Sequence, residues 1–452
     1  MDLENYLLNL RGKRVAVVGA GVSNRPLIEL LLSHGVGVTV CDRKSDLGEY
    51  GADLRRRGCQ LQLGPDYLKG LDHDVIFRTP GVRPDLPEFQ NCVRLTSEME
   101  AFFEVCPCRK IAVTGSDGKT TTTTIIAKLL EAAGQRVHLG GNIGRPLLSD
   151  APDIRPDDIA VLELSSFQLM TMDKSPEIAV VTNISPNHLD VHKDYAEYIS
   201  AKENIFKHQS ASGLAVFNAD NAVTLEEASR APGRVRLFSR LREVPDGVFL
   251  RGQDIVSRHE SKERVVMTTA DIRLPGVHNV ENYMAAIAAV DGLVPDEIIR
   301  NFAREFAGVE HRIELFRTRN GVRWYNDSIA SSPSRTIAGL RCFPEKVILI
   351  AGGKDKGISY KDLGPVVNDH AKYLILCGAT AGVIRESVET AENYNGLPIV
   401  EVNDYPSAVN AADSAAKSGD VVILSPASTS FDRFANFMER GNVFKKLVNE
   451  LP

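Results

Sequence analysis

The sequence predicts an α/β protein built as three domains in series. Three observations predict it. At 452 residues the chain accommodates about three domains of ~150 residues each. Short β-branched apolar runs alternate with helical patterns in three successive blocks. Glycines and polar residues collect in the loops after the strands, where open α/β sheets bind ligands. The expected boundaries are 1–97, 98–308 and 309–452.

Bulk properties narrow the function classes. Composition is that of a globular protein, 43% hydrophobic and 25% charged. A net charge of −6 leaves no basic footprint, so no nucleic-acid partner is expected. The opening MDLENYLLNL carries acids where a secretion signal needs cations. No apolar run approaches the ~20 residues of a membrane span. A cytoplasmic location and no membrane partner are therefore expected. Seven cysteines, an odd count in a long chain, suit reduced thiols better than a disulfide framework. Cys106 and Cys108 have no second Cys/His pair at zinc spacing.

The first block opens with a β-α-β unit. KRVAVVGAG is a strand ending in Gly19 and Gly21, SNRPLIELLLSHG a capped helix with Pro26 in its first turn, and VGVTVCD a second strand ending at Asp42. The glycines and the acid about twenty residues on look like a dinucleotide fingerprint, but Asn24 stands in place of the third glycine. An NAD site and a different nucleotide site both fit. A further strand, HDVIF, leads into RTPGV (Arg78 to Val82), a second phosphate-side loop at the same sheet edge. TSEMEAFFEV is weak helical text leading to the second block.

The second block begins with KIAVTGSDGKTTTTTII, Lys110 to Ile126. A buried strand runs to Thr114, a turn carries Gly115 and Gly118, and a helical pattern starts at Lys119. Such a turn converges backbone N–H groups and a helix dipole on an anion. Lys119 would meet the β/γ-phosphates and Thr120 would reach Mg²⁺. Val113 stands where the usual loop has its first glycine, so this is a shortened G-x-x-G-K-T form. Five threonines, Thr120 to Thr124, are poor helix formers with little structural reason to open a helix. Glu163 ends the strand IAVLE, where a carboxylate suits Mg²⁺ or is simply solvated. His188, in NHLD, is a metal ligand or a satisfied loop histidine. Lys202 lies on the amphipathic helix AEYISAKENIFKH, where a lysine is ordinarily a solvated charge. Asn279 and Asn282 share one face of the helix HNVENYMAAIAAV. Residues 235–275 are mixed.

The third block opens near GVEHRIE. RTRNGVRWYNDS reads as a hairpin turning at Asn320–Gly321. Strands KVILIAGG, AKYLILCG and VVILSPAS follow. Arg312 is a phosphate clamp or a surface ion-pair partner, and Asp327 a ribose acceptor or a turn cap. The strongest single motif is the triphosphate loop, so phosphoryl chemistry fits better than hydride transfer. The three blocks are expected as a Rossmann-like N-terminal domain, a central P-loop ATPase-like α/β domain and a Rossmann-like C-terminal domain.

TGSDGKTT, GGNIG, LELSSFQL, NHLD, AKENIF, GVHNVEN, EHRIE and YNDS occur in the order found in the Mur ligases, the ATP-dependent amide ligases of peptidoglycan assembly. The resemblance covers nearly the whole chain. GAGVSN with Asp42, LSSFQL and SPASTSFDRFANFMERG look like the D-glutamate-adding branch. The resemblance implies that Gly115, Ser116, Asp117, Gly118, Lys119, Thr120 and Thr121 hold ATP, with Asn279 and Asn282 near adenine and Arg312 and Asp327 on phosphate and ribose. It implies two Mg²⁺ ions on Thr120, Glu163, His188 and Lys202, the lysine being carbamylated. Lys119, His188 and Lys202 would carry the catalysis. Val22, Ser23, Asp42, Arg43 and Thr79 would hold the uridine diphosphate of UDP-N-acetylmuramoyl-L-alanine, with Asn142 and His188 near its alanine end. Lys356, Ser430 and Phe437 would hold D-glutamate. The carboxylate of the first substrate would become an acyl phosphate, protected as the third domain closes, and then an amide. A monomer is expected. Other readings are a different Mur ligase, a folylpolyglutamate synthase-like enzyme, an NAD oxidoreductase, and a P-loop nucleotide regulator without ligase chemistry. The chain departs from the family pattern at Asp117, where many members have Asn, at Ile329, where many have Lys, and in GGKDKG, one residue longer than usual.

Overall fold

The computed structural model describes every residue of the chain except 22, 189, 190 and 356. Val22 and Lys356, both expected in binding sites, lie outside the described residues, as does Asp190. By internal contacts the chain forms two compact units. One holds Met1–Asp271 with Val280–Phe302, the other Ile272–Asn279 with Ala303–Pro452.

The first unit carries two sheets. Strands β1 (Val15–Val18), β2 (Val38–Asp42), β3 (Gln60–Leu63), β4 (Val75–Arg78) and β5 (Arg94–Thr96) form an all-parallel sheet in the order β3-β2-β1-β4-β5. β1 is VAVV, buried throughout, the continuous apolar pattern of a strand covered on both faces. The helix Arg25–Ser33 follows β1 with Pro26 in its first turn, as expected. Its cap differs from expectation. Asn24 makes no side-chain cap bond and instead sends Nδ2 back to the carbonyls of Val18 and Gly19, at 3.1 and 3.0 Å. An amide thus ties down the turn where a third glycine would let helix and strand approach.

The second sheet contains β6 (Arg109–Thr114), β7 (Val137–Gly141), β8 (Ile159–Glu163), β9 (Ile178–Val181), β10 (Leu214–Asn218), β11 (Arg234–Ser239), β12 (Gly247–Arg251), β13 (Asp254–His259) and β14 (Lys262–Thr268). Their order is β14-β13-β12-β11-β10-β9-β6-β8-β7, so β6 lies between β8 and β9. Residues 235–275 therefore extend the parallel sheet and end it in an antiparallel meander, β12-β13-β14. The helix Lys119–Ala132 follows β6 directly. The helix expected around Lys202 runs Tyr195–Glu203, capped by Asp194, and ends one residue after Lys202.

In the second unit, β15 (Glu314–Arg319), β16 (Val322–Asn326), β17 (Val347–Ala351), β18 (Ala371–Cys377), β19 (Ile399–Val402) and β20 (Val421–Leu424) form a sheet in the order β15-β16-β20-β17-β18-β19. Only β15 is antiparallel within it. The β15–β16 hairpin turns at Asn320 and Gly321, with φ of 51° and 78°, the left-handed pair that an Asn-Gly turn supplies. Among the described residues no helix is long and apolar enough to cross a membrane.

Candidate active site

The centre of the first unit is the turn between β6 and the helix Lys119–Ala132. Gly115 has φ of 150°, and a Cβ there would lie 1.9 Å from Thr182 Oγ1. Gly118, the helix N-cap, has φ of 78°, and a Cβ there would lie 2.5 Å from Asn282 Oδ1. Both glycines are required by close approach. Thr122 Oγ1 donates to the same Asn282 oxygen at 3.2 Å, so the buried Asn282 packs against the loop. Asn279, one turn earlier, donates from Nδ2 to the Pro275 carbonyl at 2.6 Å.

The loop is held by the residues that follow β9. Ser116 N donates to the Asn183 carbonyl and Asp117 N to Asn183 Oδ1, at 2.8 and 2.9 Å. Thr182 Oγ1 donates to the Asp117 carbonyl at 2.6 Å. The Asp117 side chain is exposed and does not cap the helix. Lys119 folds back over the loop, its Nζ donating to the carbonyls of Gly115 and Ser116 at 2.8 Å. Thr120 and Thr121 are buried in the first helical turn.

Lys202 reaches the same loop and is 1% exposed. Its Nζ donates to the Gly115 carbonyl at 2.8 Å and to Thr114 Oγ1 at 3.2 Å, and lies 4.7 Å from the Tyr198 ring centre. It is not a solvated charge. Burial drives the Lys202 ammonium well below its ordinary pKa, and the charge of Lys119 pushes the same way. Tyr198 in turn bonds its hydroxyl to Ser116 Oγ at 2.9 Å.

Glu163 ends β8 in register with Val113 on β6, which brings it beside the loop. It is 1% exposed, not the solvated strand-end acid that its position also allowed. Oε1 accepts from Asn142 Nδ2 at 2.7 Å, and the Glu163 carbonyl accepts from Asn142 N at 2.7 Å. Oε2 is buried without a hydrogen-bond partner among the described residues. A lone buried carboxylate oxygen is costly unless a cation meets it. Among the described residues no three His, Cys, Asp or Glu side chains cluster as a metal cage. His188 is exposed in a left-handed conformation, φ 55°, with its ring centre 5.1 Å from that of Phe167. Ser116 Oγ donates to the Ser185 carbonyl at 2.9 Å, tying this segment to the loop three residues before His188.

In the first sheet, Gly19 has φ of 90°, and a Cβ there would lie 2.8 Å from Thr79 Cγ2, so the two expected phosphate-side turns touch. The Asp42 carboxylate accepts from Ala20 N and Lys44 N, at 2.8 and 2.9 Å. Ser23 and Arg43 are exposed and Thr79 half-buried beside this turn. Arg78, read in the sequence only as the first residue of the RTPGV loop, is the last residue of β4 and 1% exposed. Its one signal is an arginine continuing an apolar strand.

In the second unit, Asp327 follows β16, Gly352 to Asp355 follow β17 and Ser430 lies beyond β20, all at one sheet edge. Asp327 is buried. It accepts from Ser425 Oγ at 2.8 Å and Ile313 N at 3.3 Å, and burial pushes its carboxyl up to about 7. Arg312 is half-buried between His311 and Ile313, both left-handed, with φ of 65° and 44°. Ser430 is buried. Phe437 starts the helix Phe437–Asn449, meets His311 edge-on at 5.9 Å, and its carbonyl accepts from Ser328 Oγ. Lys354 and Thr429 pair their backbones, and Arg440 donates to the carbonyls of Ser328 and Ser428, joining the three loops.

A strand–turn–helix loop with a lysine folded over it, flanked by a buried carboxylate, defines an α/β protein of the P-loop nucleotide-binding class. The Mur ligase middle domain model matches residues 113–290, and the Mur ligase, glutamate ligase domain model matches residues 311–428. A UDP-N-acetylmuramoylalanine–D-glutamate ligase of Ruminiclostridium cellulolyticum is 50% identical over 99% of both chains. The ligase of the same name from Acetivibrio thermocellus is also 50% identical over 99% of both. The fold matches that of the UDP-N-acetylmuramate–alanine ligase from Thermotoga maritima, with a TM-score of 0.59 and 19% identity, over 96% of this chain and 98% of that one. The chain belongs to the Mur ligase family.

Proposed function

We propose that this protein joins D-glutamate to UDP-N-acetylmuramoyl-L-alanine, forming an amide and converting ATP to ADP and phosphate. The observation that carries this reading is the 50% identity over 99% of the chain to ligases named for that reaction. The first segment, to residue 97, would bind the uridine diphosphate through Val22, Ser23, Asp42, Arg43 and Thr79. The central segment, 98–308, would hold ATP through Gly115–Thr121, Asn279 and Asn282. The last, from 309, would contribute Arg312 and Asp327 to ATP and Lys356, Ser430 and Phe437 to D-glutamate.

The L-alanine carboxylate attacks the γ-phosphorus, and ADP leaves. Lys119 and the loop N–H groups neutralise charge on the transferred phosphoryl group. The D-glutamate amine then attacks the acyl carbon, a proton is lost and phosphate departs. Asn142, fixed on Glu163, lies within reach of the muramoyl-alanine end in this reading, with His188.

The lone Oε2 of Glu163 supports a cation site, and its hard oxygen suits Mg²⁺. Thr120, Glu163, His188 and a carbamylated Lys202 would hold two Mg²⁺ ions. Bound there, Mg²⁺ would reduce repulsion between the substrate carboxylate and the triphosphate. The burial of Lys202, which favours its neutral amine, supports the modification. Its lone pair adds to CO₂, one proton leaves, and the resulting carbamate is an anion. An ammonium there would repel Mg²⁺. The protein is proposed to act as a cytoplasmic monomer.

The test is ADP release in mixtures that omit one component at a time. ADP formation requires UDP-N-acetylmuramoyl-L-alanine, D-glutamate and Mg²⁺ together. Equal release without an amino acid would instead indicate a nucleotide hydrolase.

A further inference from the structure

Arg78 is a buried cation that the ligation chemistry above does not use. Its Nη1 donates to three carbonyls of the turn that follows it, Thr79 at 3.3 Å, Pro80 at 3.1 Å and Val82 at 2.6 Å. Its Nη2 reaches the central segment, donating to the Phe167 carbonyl at 3.2 Å and Thr171 Oγ1 at 3.3 Å. Its Nε is buried without a partner among the described residues. Among the described residues no carboxylate pairs with it directly; Glu100 Oε2 accepts from Thr171 Oγ1 at 3.2 Å, one hydroxyl away. Burying a guanidinium on neutral acceptors is expensive, and burial lowers its proton affinity accordingly. Such a group is poorly explained as stabilisation alone.

The two ends of the fork explain its placement. On one side is the Thr79 turn, packed against Gly19. A turn that meets a diphosphate must keep its carbonyl oxygens off the anion, and Arg78 gathers three of them inward. On the other side is Phe167, whose ring stacks on His192 at 5.2 Å and meets His188 edge-on at 5.1 Å. His192 is held by Ser166 Oγ at 2.9 Å. The rigid fork of Nη1 and Nη2 serves both sides at once, which a lysine ammonium on a flexible stem does not.

We propose that Arg78 is a positioning residue that sets the uridine-diphosphate turn in register with the Phe167–His188 segment, so that the sugar nucleotide's diphosphate and its reacting carboxylate are located together. This rests on the uridine-site reading of the first segment. Arg78 acts through the turn and through Phe167, without touching substrate.

The test measures steady-state kinetics and calorimetric binding of UDP-N-acetylmuramoyl-L-alanine with the full-length protein. Arg78→Lys keeps the charge but not the fork. It raises KM and Kd for the sugar nucleotide by about tenfold, the worth of one hydrogen bond from a charged donor. KM for ATP and for D-glutamate stays at the wild-type level. Thr171→Val, which removes one acceptor and leaves Arg78 in place, gives a smaller rise of the same kind and stands in should Arg78→Lys fail to fold. A lowered melting temperature with unchanged KM values would reduce Arg78 to a structural role and overturn the proposal. An equal rise in KM for ATP would overturn it too. Wild-type protein that binds no sugar nucleotide would remove the uridine-site reading itself, an outcome distinct from wild-type binding that the variants leave unaltered.

Discussion

Lys119 and Lys202 share one acceptor: each sends its Nζ to the Gly115 carbonyl, at 2.8 Å. Two ammonium groups on one oxygen repel, and Lys202, the buried one, is the group driven toward the neutral amine. That amine is the form that adds CO₂. Lys202→Ala is expected to lower ligation by at least about a hundredfold. A small carboxylate such as acetate should restore part of the rate by supplying the missing anion. Retention of full activity in the variant would remove the carbamate from the account.

In the proposed reading Lys119 meets the ATP phosphates and takes no part in the uridine site. Lys119→Ala is expected to cut kcat by roughly 10²–10³-fold, as for other groups that meet charge developing in a transition state. Calorimetry should find sugar-nucleotide affinity unchanged. Loss of that affinity with ATP binding intact would show the two sites to be assigned the wrong way round.

Glu163 leaves one buried carboxylate oxygen without a partner among the described residues. Glu163→Gln keeps the shape and the Asn142 contact while removing the charge. The Mg²⁺ concentration for half-maximal rate should rise about tenfold or more. An unaltered Mg²⁺ titration would place the cation elsewhere.

Gly115 has no room for a side chain. In Gly115→Ala the new methyl would lie 1.9 Å from Thr182 Oγ1 and 3.0 Å from the Asn183 carbonyl, at a φ of 150°. A loss of roughly 2–4 kcal/mol is expected from strain and overpacking together. Urea unfolding of the variant measures it, and a loss under about 0.5 kcal/mol would mean that the loop relaxes freely.

Asp327 makes stability depend on pH. Its carboxyl is pushed up to about 7 by burial from an ordinary 3.8. Between these values the unfolded chain has released a proton that the folded chain keeps. The Asp327 contribution is therefore fully present below about 4 and is lost as pH rises toward about 7. Asp327→Asn should flatten that part of the profile in urea melts at the two ends of the window. An identical profile in the variant would show Asp327 to be ionised when folded.

The three α/β blocks were legible because parallel strands covered on both faces are written as unbroken apolar runs such as VAVV and VILIA. The phosphate loop was legible from its glycines, which close approach demands. The helix begins at Lys119 as read, although its five threonines are poor helix formers. Thr123 and Thr124 bond back to the carbonyls of Lys119 and Thr120 at 2.8 Å, and the helix face is buried, so packing outweighs intrinsic preference. Residues 235–275 were illegible because the meander is edged by exposed charge pairs such as Arg251–Glu263, which blur the apolar alternation. The position of Asp42 was readable, but not that its oxygens hold the N–H groups of Ala20 and Lys44. The burial of Arg78 was not legible because its partner Phe167 is 89 residues away and offers a carbonyl, which carries no side-chain signature.

The most direct test is to supply UDP-N-acetylmuramoyl-L-alanine, ATP and Mg²⁺ with each of several amino acids and identify the nucleotide product by mass. The account predicts one product, heavier by a single glutamyl residue, formed with D-glutamate and in step with ADP. Preferential incorporation of L-glutamate or L-alanine, or ADP release with no heavier nucleotide, would contradict it.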